Sequence, residues 1–493
     1  MPHHPPESTR LRPLPYLPGL DGLRALAVLA VLLYHGEVRW IPGGFLGVDV
    51  FFVISGYLIT ALLLNEWEQR GRIDLAAFWL RRARRLLPAL FALLLVTLTG
   101  AVLFWPEEVA RLRVEALAAF AYVTNWHLIF SQQPYFEAVG RPSPLLHLWS
   151  LAVEEQFYLL WPPLLVLGLR FWRRGRVFLA TLMAVAFSAL LMALLYRPDA
   201  DPSRVYYGTD TRAFALLVGA ALAFLWMPWR RKRHLNPTEA ALLNVLGMVA
   251  IADVIWFFVQ FDQFQPFLYR GGFLLLALIT AVLIAVVVHP QAMVVNKALE
   301  LPLVRWLGQR SYSIYLWHWP VFMVTRPQLD LALTGLPLLL LRLVLTFSLA
   351  ELSYRLVETP IRRGALGQAW SALRRARGSE RYDLGARWLG AAMISAAFAL
   401  ILGRAVVVAQ PPEQPAYLAV GSVHLASSDT QGTPTNVSVV PVPAPTNIPP
   451  APTLVPTFAP IKNDEALLLS KRILLPPTRT PEPLGHVVAI GDS

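Results

Sequence analysis

Hydrophobic positions along this chain gather into runs close to the length that crosses a bilayer, about 20 residues, divided by short polar stretches. The runs predict membrane-spanning helices near residues 20–36, 45–65, 86–105, 145–169, 177–196, 211–228, 240–259, 271–288, 310–326, 333–354 and 386–408. Such runs recur along the first four fifths of the chain, far beyond what one buried core helix would explain. The expected fold class is therefore an all-α polytopic membrane protein. A further apolar stretch, 116–130, is short and interrupted by Asn125 and His127. It reads as interfacial or re-entrant, because counting it as a span would invert the topology of everything after it.

Composition sharpens this picture. Of 493 residues, 56% are hydrophobic and 15% charged, outside the range of soluble domains. The net charge of +12 could suggest nucleic acid, yet the arginines sit between apolar runs and form no polar, aromatic-studded basic face. With a cytoplasmic N-terminus, the dense basic clusters at 70–85, 170–176, 230–233, 297–310 and 355–387 all fall on one side, as the positive-inside rule expects. The loops at 106–144 and 197–212 then face outward. Residues 1–18 carry Arg10 and Arg12 without a small-residue cleavage pattern, so the first span is expected to stay as an anchor. The absence of cysteine excludes disulfide and thiol chemistry. After the last span, residues 410–460 are rich in Pro, Thr, Val, Ser and Ala, a composition of extended linkers. The chain then turns toward globular character and ends in the strand-and-turn pattern His486-Val-Val-Ala-Ile-Gly-Asp-Ser493.

Ionisable residues inside spans are costly and mark functional candidates. Arg24 and His35 in the first span are eleven residues apart. At about 100° per residue they share nearly one helix face, separated by roughly 16 Å of rise. A guanidinium at the cytoplasmic mouth could hold acyl-CoA phosphates, and a neutral imidazole further out could take a proton from an attacking hydroxyl. The competing reading has each side chain snorkel to its nearer headgroups. The block Phe78-Trp-Leu-Arg-Arg-Ala-Arg-Arg-Leu-Leu-Pro88 reads as an inner-loop lipid anchor or as a second phosphate clamp. Within His147-Leu-Trp-Ser-Leu-Ala-Val-Glu-Glu-Gln-Phe-Tyr158, Glu154 and Glu155 diverge by about 100°. One is expected to face His35 and the other to pair with an arginine such as Arg212. Asp49 suits a helix N-terminus whether or not it has a function. His318 among aromatics reads as a packing residue, and Glu351 and Glu358 as partners of Arg355 and Arg362.

Together, Leu20-Asp-Gly-Leu-Arg-Ala-Leu-Ala-Val28 with His35, Gly47-Val-Asp-Val-Phe-Phe-Val-Ile-Ser-Gly-Tyr57, the arginine block to Pro88, Trp149-Ser-Leu-Ala-Val-Glu-Glu-Gln-Phe-Tyr158, Ser311-Tyr-Ser-Ile-Tyr-Leu-Trp-His-Trp-Pro320 and Glu358-Thr-Pro360 resemble the acyltransferase-3 family of bacterial membrane acyltransferases. The resemblance is to the branch fused to an extracytoplasmic SGNH hydrolase-like domain, and it runs over most of residues 15–365. It implies about ten helices in an acyltransferase core, an eleventh leading outward, and acyl transfer from cytosolic acetyl-CoA to a hydroxyl of a surface glycan or lipid-linked sugar. The glycan could be lipopolysaccharide, peptidoglycan or exopolysaccharide. The expected sites are His35, Glu154 and Glu155 for catalysis, His35 as general base or transient acyl carrier, and Arg24, Arg82 and Arg85 for the donor, with no metal and no nucleic-acid partner. The expected organisation is a cytoplasmic tail (1–18), the core (19–365), a basic segment with the eleventh span (366–409), an outer linker (410–484) and the start of the SGNH-like domain (485–493). Ser493 would be that domain's nucleophile. Its partner blocks are missing, so a truncated frame or fragment with an inactive SGNH-like part is expected. A transporter or flippase could use the same intramembrane residues, although the two halves show no inverted repeat; a sugar-lipid binding or assembly protein is a third reading.

Overall fold

The elements follow the apolar runs. In a computed structural model, which describes residues 14–135, 142–230 and 235–410, the helices are α1 (Pro18–His35), α2 (Gly47–Arg70), α3 (Leu75–Phe104), α4 (Val109–Phe120), α5 (Thr124–Phe130) and α6 (Leu148–Phe171). They continue with α7 (Arg174–Leu195), α8 (Ser203–Tyr207), α9 (Thr209–Leu225), α10 (Pro237–Gln260), α11 (Phe273–Val287) and α12 (Met293–Leu299). The last are α13 (Pro302–Gln309), α14 (Ser311–Met323), α15 (Gly335–Ser353), α16 (Thr359–Arg362), α17 (Ala365–Arg375) and α18 (Gly378–Val408). The chain divides into two units, Met1–Glu413 and Gln414–Ser493. The second unit, with most of the expected linker and the Gly-Asp-Ser493 end, lies outside the described residues.

Every expected span has a helix, and the protein is a multi-pass membrane protein. Among the described residues, eight helical segments are long and apolar enough to cross a membrane. The remaining three expected spans are α6, α9 and α14. Helix α9 has 17 residues and α14 has 13, the latter about 20 Å long and too short to cross by itself. Most of α14 is buried, so its neighbours rather than lipid enclose it. The stretch expected to be interfacial becomes α4, a turn and α5, neither long enough to span.

Local signals account for the boundaries. Helix α1 opens with Pro18, and α2 closes on Gly71 at φ 65°, a left-handed conformation natural to glycine. Asp74 caps α3 by accepting from the Ala77 amide at 2.9 Å, and Asn236 and Glu239 form a capping box on α10. The Asp74 cap changes the reading of the arginine block. Residues 75–85 belong to the helix, not to a loop, so Arg82 and Arg85 project from the first three turns of a continuous 30-residue helix.

Helices α1 and α2 form the core, whereas α18 is almost wholly exposed: 78% of the α2 span but only 6% of the α18 span is buried. Close backbone approach locks α2 to α9. A Cβ at Gly56 would stand 1.8 Å from the Leu216 carbonyl oxygen, and one at Gly219 would stand 2.0 Å from that of Val53. Only glycine permits this crossing. At the same interface Arg212 meets Asp49 at 2.9 Å with both side chains fully buried, and its guanidinium lies 4.3 Å from the Phe273 ring centroid. Arg212 was expected to pair with Glu154 or Glu155. Asp49 takes it instead, because α9 packs along α2.

Candidate functional site

Helix α1 delivers two polar side chains to two different places. Near its start, Arg24 lines a cavity with Arg82 and Arg85 of α3, Ser55 of α2, Glu154 and Tyr158 of α6 and Tyr315 of α14. The Arg82 guanidinium lies over the Tyr158 ring, 5.5 Å from its centroid. The ring's own backbone is held by Trp79, which donates to the Tyr158 carbonyl at 3.0 Å. Glu154 accepts from both the Ser55 and Tyr158 hydroxyls. One carboxylate thus stands against three guanidiniums on the cavity wall, leaving net positive charge. Glu155 points elsewhere and adds a field at Arg82 and Arg85 without lining the cavity. A second cavity shares Arg82 and Arg85 and adds Arg81, Arg84, Arg362 and Glu66. Such a run of guanidiniums matches a polyphosphate better than a neutral solute.

At the other end of α1, His35 is its last residue and meets a group of hydrogen-bonding rings. Its Nδ1 is 3.1 Å from Nε2 of His318 on α14, and its Nε2 is 3.1 Å from the Tyr135 hydroxyl. The two imidazoles stack with centroids 5.1 Å apart, and the Trp319 ring meets His35 edge-on at 4.7 Å. His147, just ahead of α6, places its ring 5.6 Å from His318 and bonds the Leu316 carbonyl through Nε2 at 3.1 Å. Tyr135 is held by its own amide, which donates to Ser203 at 2.8 Å, and its ring packs on Tyr206 at 4.9 Å. Burial raises the Tyr135 phenol well above its ordinary value, so it stays protonated.

Tyr315 separates the two places. Its ring lines the cationic cavity and lies 5.1 Å from the His318 ring. Its hydroxyl reaches Ser150 at 2.6 Å and the His147 carbonyl at 3.1 Å. Among the described residues, no group of three or more His, Cys, Asp or Glu side chains has the geometry to hold a metal ion.

A family model described as an acyltransferase domain matches residues 17–354, which include Arg24, His35, Arg82, Arg85, Glu154, Glu155 and His318. The chain belongs to the acyltransferase-3 family. It is 47% identical over 334 residues to the peptidoglycan O-acetyltransferase OatA of Listeria monocytogenes, covering 67% of this chain and 53% of that protein. It is 45% identical over 333 residues to YrhL of Bacillus subtilis, covering 67% and 52%. The O-acetyltransferase OatA of Staphylococcus aureus is 42% identical over 335 residues, covering 67% and 55%. The chain therefore spans about half the length of these curated relatives. No solved structure matches it.

In this acyltransferase-3 chain the structure brings Arg24, Arg82, Arg85 and Glu154 together and sets His35 apart from them. Neither Glu154 nor Glu155 bonds the imidazole, whose two nitrogens are taken by His318 and Tyr135. The expected carboxylate–histidine pair is thus replaced by a histidine–histidine pair, because Glu154 turns toward Ser55 and Tyr158. His318 is a satisfied buried histidine, as expected, but its partner is His35. Glu351 pairs with Arg310 as well as Arg355, while Glu358 accepts from Ser313. Tyr135, His147 and Tyr315 escaped the sequence reading. His147 and Tyr315 sit inside motifs quoted for other residues, whereas Tyr135 follows a Gln-Gln-Pro turn that carries no chemical signature.

Proposed function

We propose that this protein is a membrane O-acyltransferase that moves an acyl group, acetyl in the first instance, from acyl-CoA on the cytoplasmic side to a hydroxyl of a surface glycan. The positive-inside argument puts the N-terminus and the arginine-lined opening in the cytoplasm and the residues after α18 outside. Peptidoglycan is the acceptor to try first, because relatives bear its name.

The observation that carries this reading is the division of α1. Arg24 stands in a cationic cavity, His35 in a ring of hydrogen-bonding side chains, and Tyr315 belongs to both. The donor's phosphates would lie along Arg82, Arg85 and the outer arginines, with its pantetheine arm running inward past Arg24. His35 Nε2 would accept the proton of the attacking hydroxyl as its oxygen forms the ester C–O bond. The thioester C–S bond then breaks, and the imidazolium returns the proton to the departing thiolate. The products are the O-acyl ester and free CoA. Tyr135, within reach of Nε2, is placed either to orient the acceptor hydroxyl or to receive the acyl group first.

Binding of CoA to the purified full chain tests the donor half. Arg82→Ala and Arg24→Ala should weaken binding while His35→Ala leaves it unchanged. Equal affinity in all three variants would remove the cavity from the donor site and return the transport reading to contention.

A further inference from the structure

We propose that His318 is a positioning residue that fixes His35 as the tautomer protonated on Nδ1, leaving Nε2 as the basic nitrogen beside Tyr135. This rests on the reading of His35 as the proton acceptor. One contact of His318 has a fixed polarity. His318 Nδ1 lies 2.5 Å from the carbonyl oxygen of Tyr315, one turn earlier in α14. A carbonyl oxygen only accepts, so this nitrogen carries the hydrogen. Among the described residues no carboxylate bonds His318, and a buried imidazolium without one is expensive, so its Nε2 carries a lone pair. The 3.1 Å contact between that lone pair and His35 Nδ1 is then a hydrogen bond only if His35 supplies the hydrogen. Nε2 of His35 is left free to accept, and the Tyr135 hydroxyl at 3.1 Å donates to it.

The direction of the whole row follows: Tyr135 O–H to His35, His35 N–H to His318, His318 N–H to a main-chain carbonyl. A proton arriving at His35 Nε2 makes an imidazolium whose Nδ1–H already points at an acceptor, so the new charge meets an oriented lone pair. The charge can go no further than His318, because His318 Nδ1 is occupied and its partner is a carbonyl. His318 thus holds and orients; it does not shuttle. A buried carboxylate does the equivalent work in serine hydrolases, where the wrong tautomer is very costly in rate. A neutral histidine does it here without adding a charge to the membrane interior.

Nitrogen NMR of isotope-labelled histidines in the full chain reads the tautomer directly, with His35 assigned by its loss in His35→Ala. The expected result is a protonated Nδ1 and an unprotonated Nε2, with this preference lost in His318→Phe, which keeps the volume but not the acceptor. Transfer by His318→Phe should fall about 10²-fold in kcat, with donor KM unchanged. His318→Gln, whose amide oxygen can stand near the lost nitrogen, should recover at least tenfold of that loss. An Nε2-protonated His35 in the wild type, or full transfer by His318→Phe, would overturn the proposal. Loss of CoA binding by His318→Phe would do the same, by showing a structural role. If His35→Ala itself transfers normally, the failure belongs to the assignment of His35, and the tautomer measurement still stands by itself.

Discussion

The two ends of α1 handle polar groups in the membrane in opposite ways. At Arg24 charge is concentrated: three guanidiniums and one carboxylate face a cavity, and among the described residues no closed ion pair neutralises them. At His35 charge is avoided, and neutral donors and acceptors satisfy one another ring by ring. The buried Asp49–Arg212 pair shows a third arrangement, in which opposite charges meet and cancel. An open excess of positive charge suits a ligand that brings negative charge with it. A neutral, directed row suits a proton that arrives only during reaction. The comparison teaches that an intramembrane ion is a binding candidate when its neighbours leave it uncompensated, not merely when it is buried.

The largest expected effect is at the neutral end. His35→Ala should lower transfer about 10³-fold without changing CoA affinity, measured as kcat and KM in reconstituted vesicles. Next is the closed pair. Arg212→Ala should destabilise the fold by about 3–5 kcal/mol, because it strands Asp49 in the interior, whereas Asp49→Leu with Arg212→Met should recover most of that loss. Thermal unfolding in detergent checks both, and a stable Arg212→Ala protein would erase the distinction between closed and open charge. At the cationic end, Arg82→Ala and Arg85→Ala should each raise the CoA Kd roughly 10-fold, an effect that shrinks at high salt. Smallest is Tyr135→Phe, which removes one hydrogen bond to His35 and should slow transfer only about threefold to tenfold. A much larger loss would mean that the Tyr135 oxygen itself receives the acyl group.

Much of the architecture was legible in the sequence because apolar length is a local property. The eleven runs map onto helices, and the interval from Arg24 to His35 survives as two stations on α1. The lengths of α9 and α14 were harder to read, since burial by neighbours lets a short helix persist where lipid would not. The site was legible in its residue types but not in its pairings. One of Glu154 and Glu155 was expected to face His35, yet the rotation of Glu154 about α6 turns it to Ser55 and Tyr158. His318 joins His35 across 283 positions of sequence, a contact that no spacing rule reaches. Tyr135 comes from an irregular segment, where periodicity carries no information.

The most direct test of the division of labour along α1 is acyl transfer from radiolabelled acetyl-CoA in inside-out vesicles, with donor binding measured on the same preparations. His35→Ala should bind CoA like the wild type but leave protein and glycan unlabelled, while Arg82→Ala should need more donor and then approach the wild-type rate. Transfer at the wild-type rate by His35→Ala, or loss of CoA binding in that variant, would contradict that division.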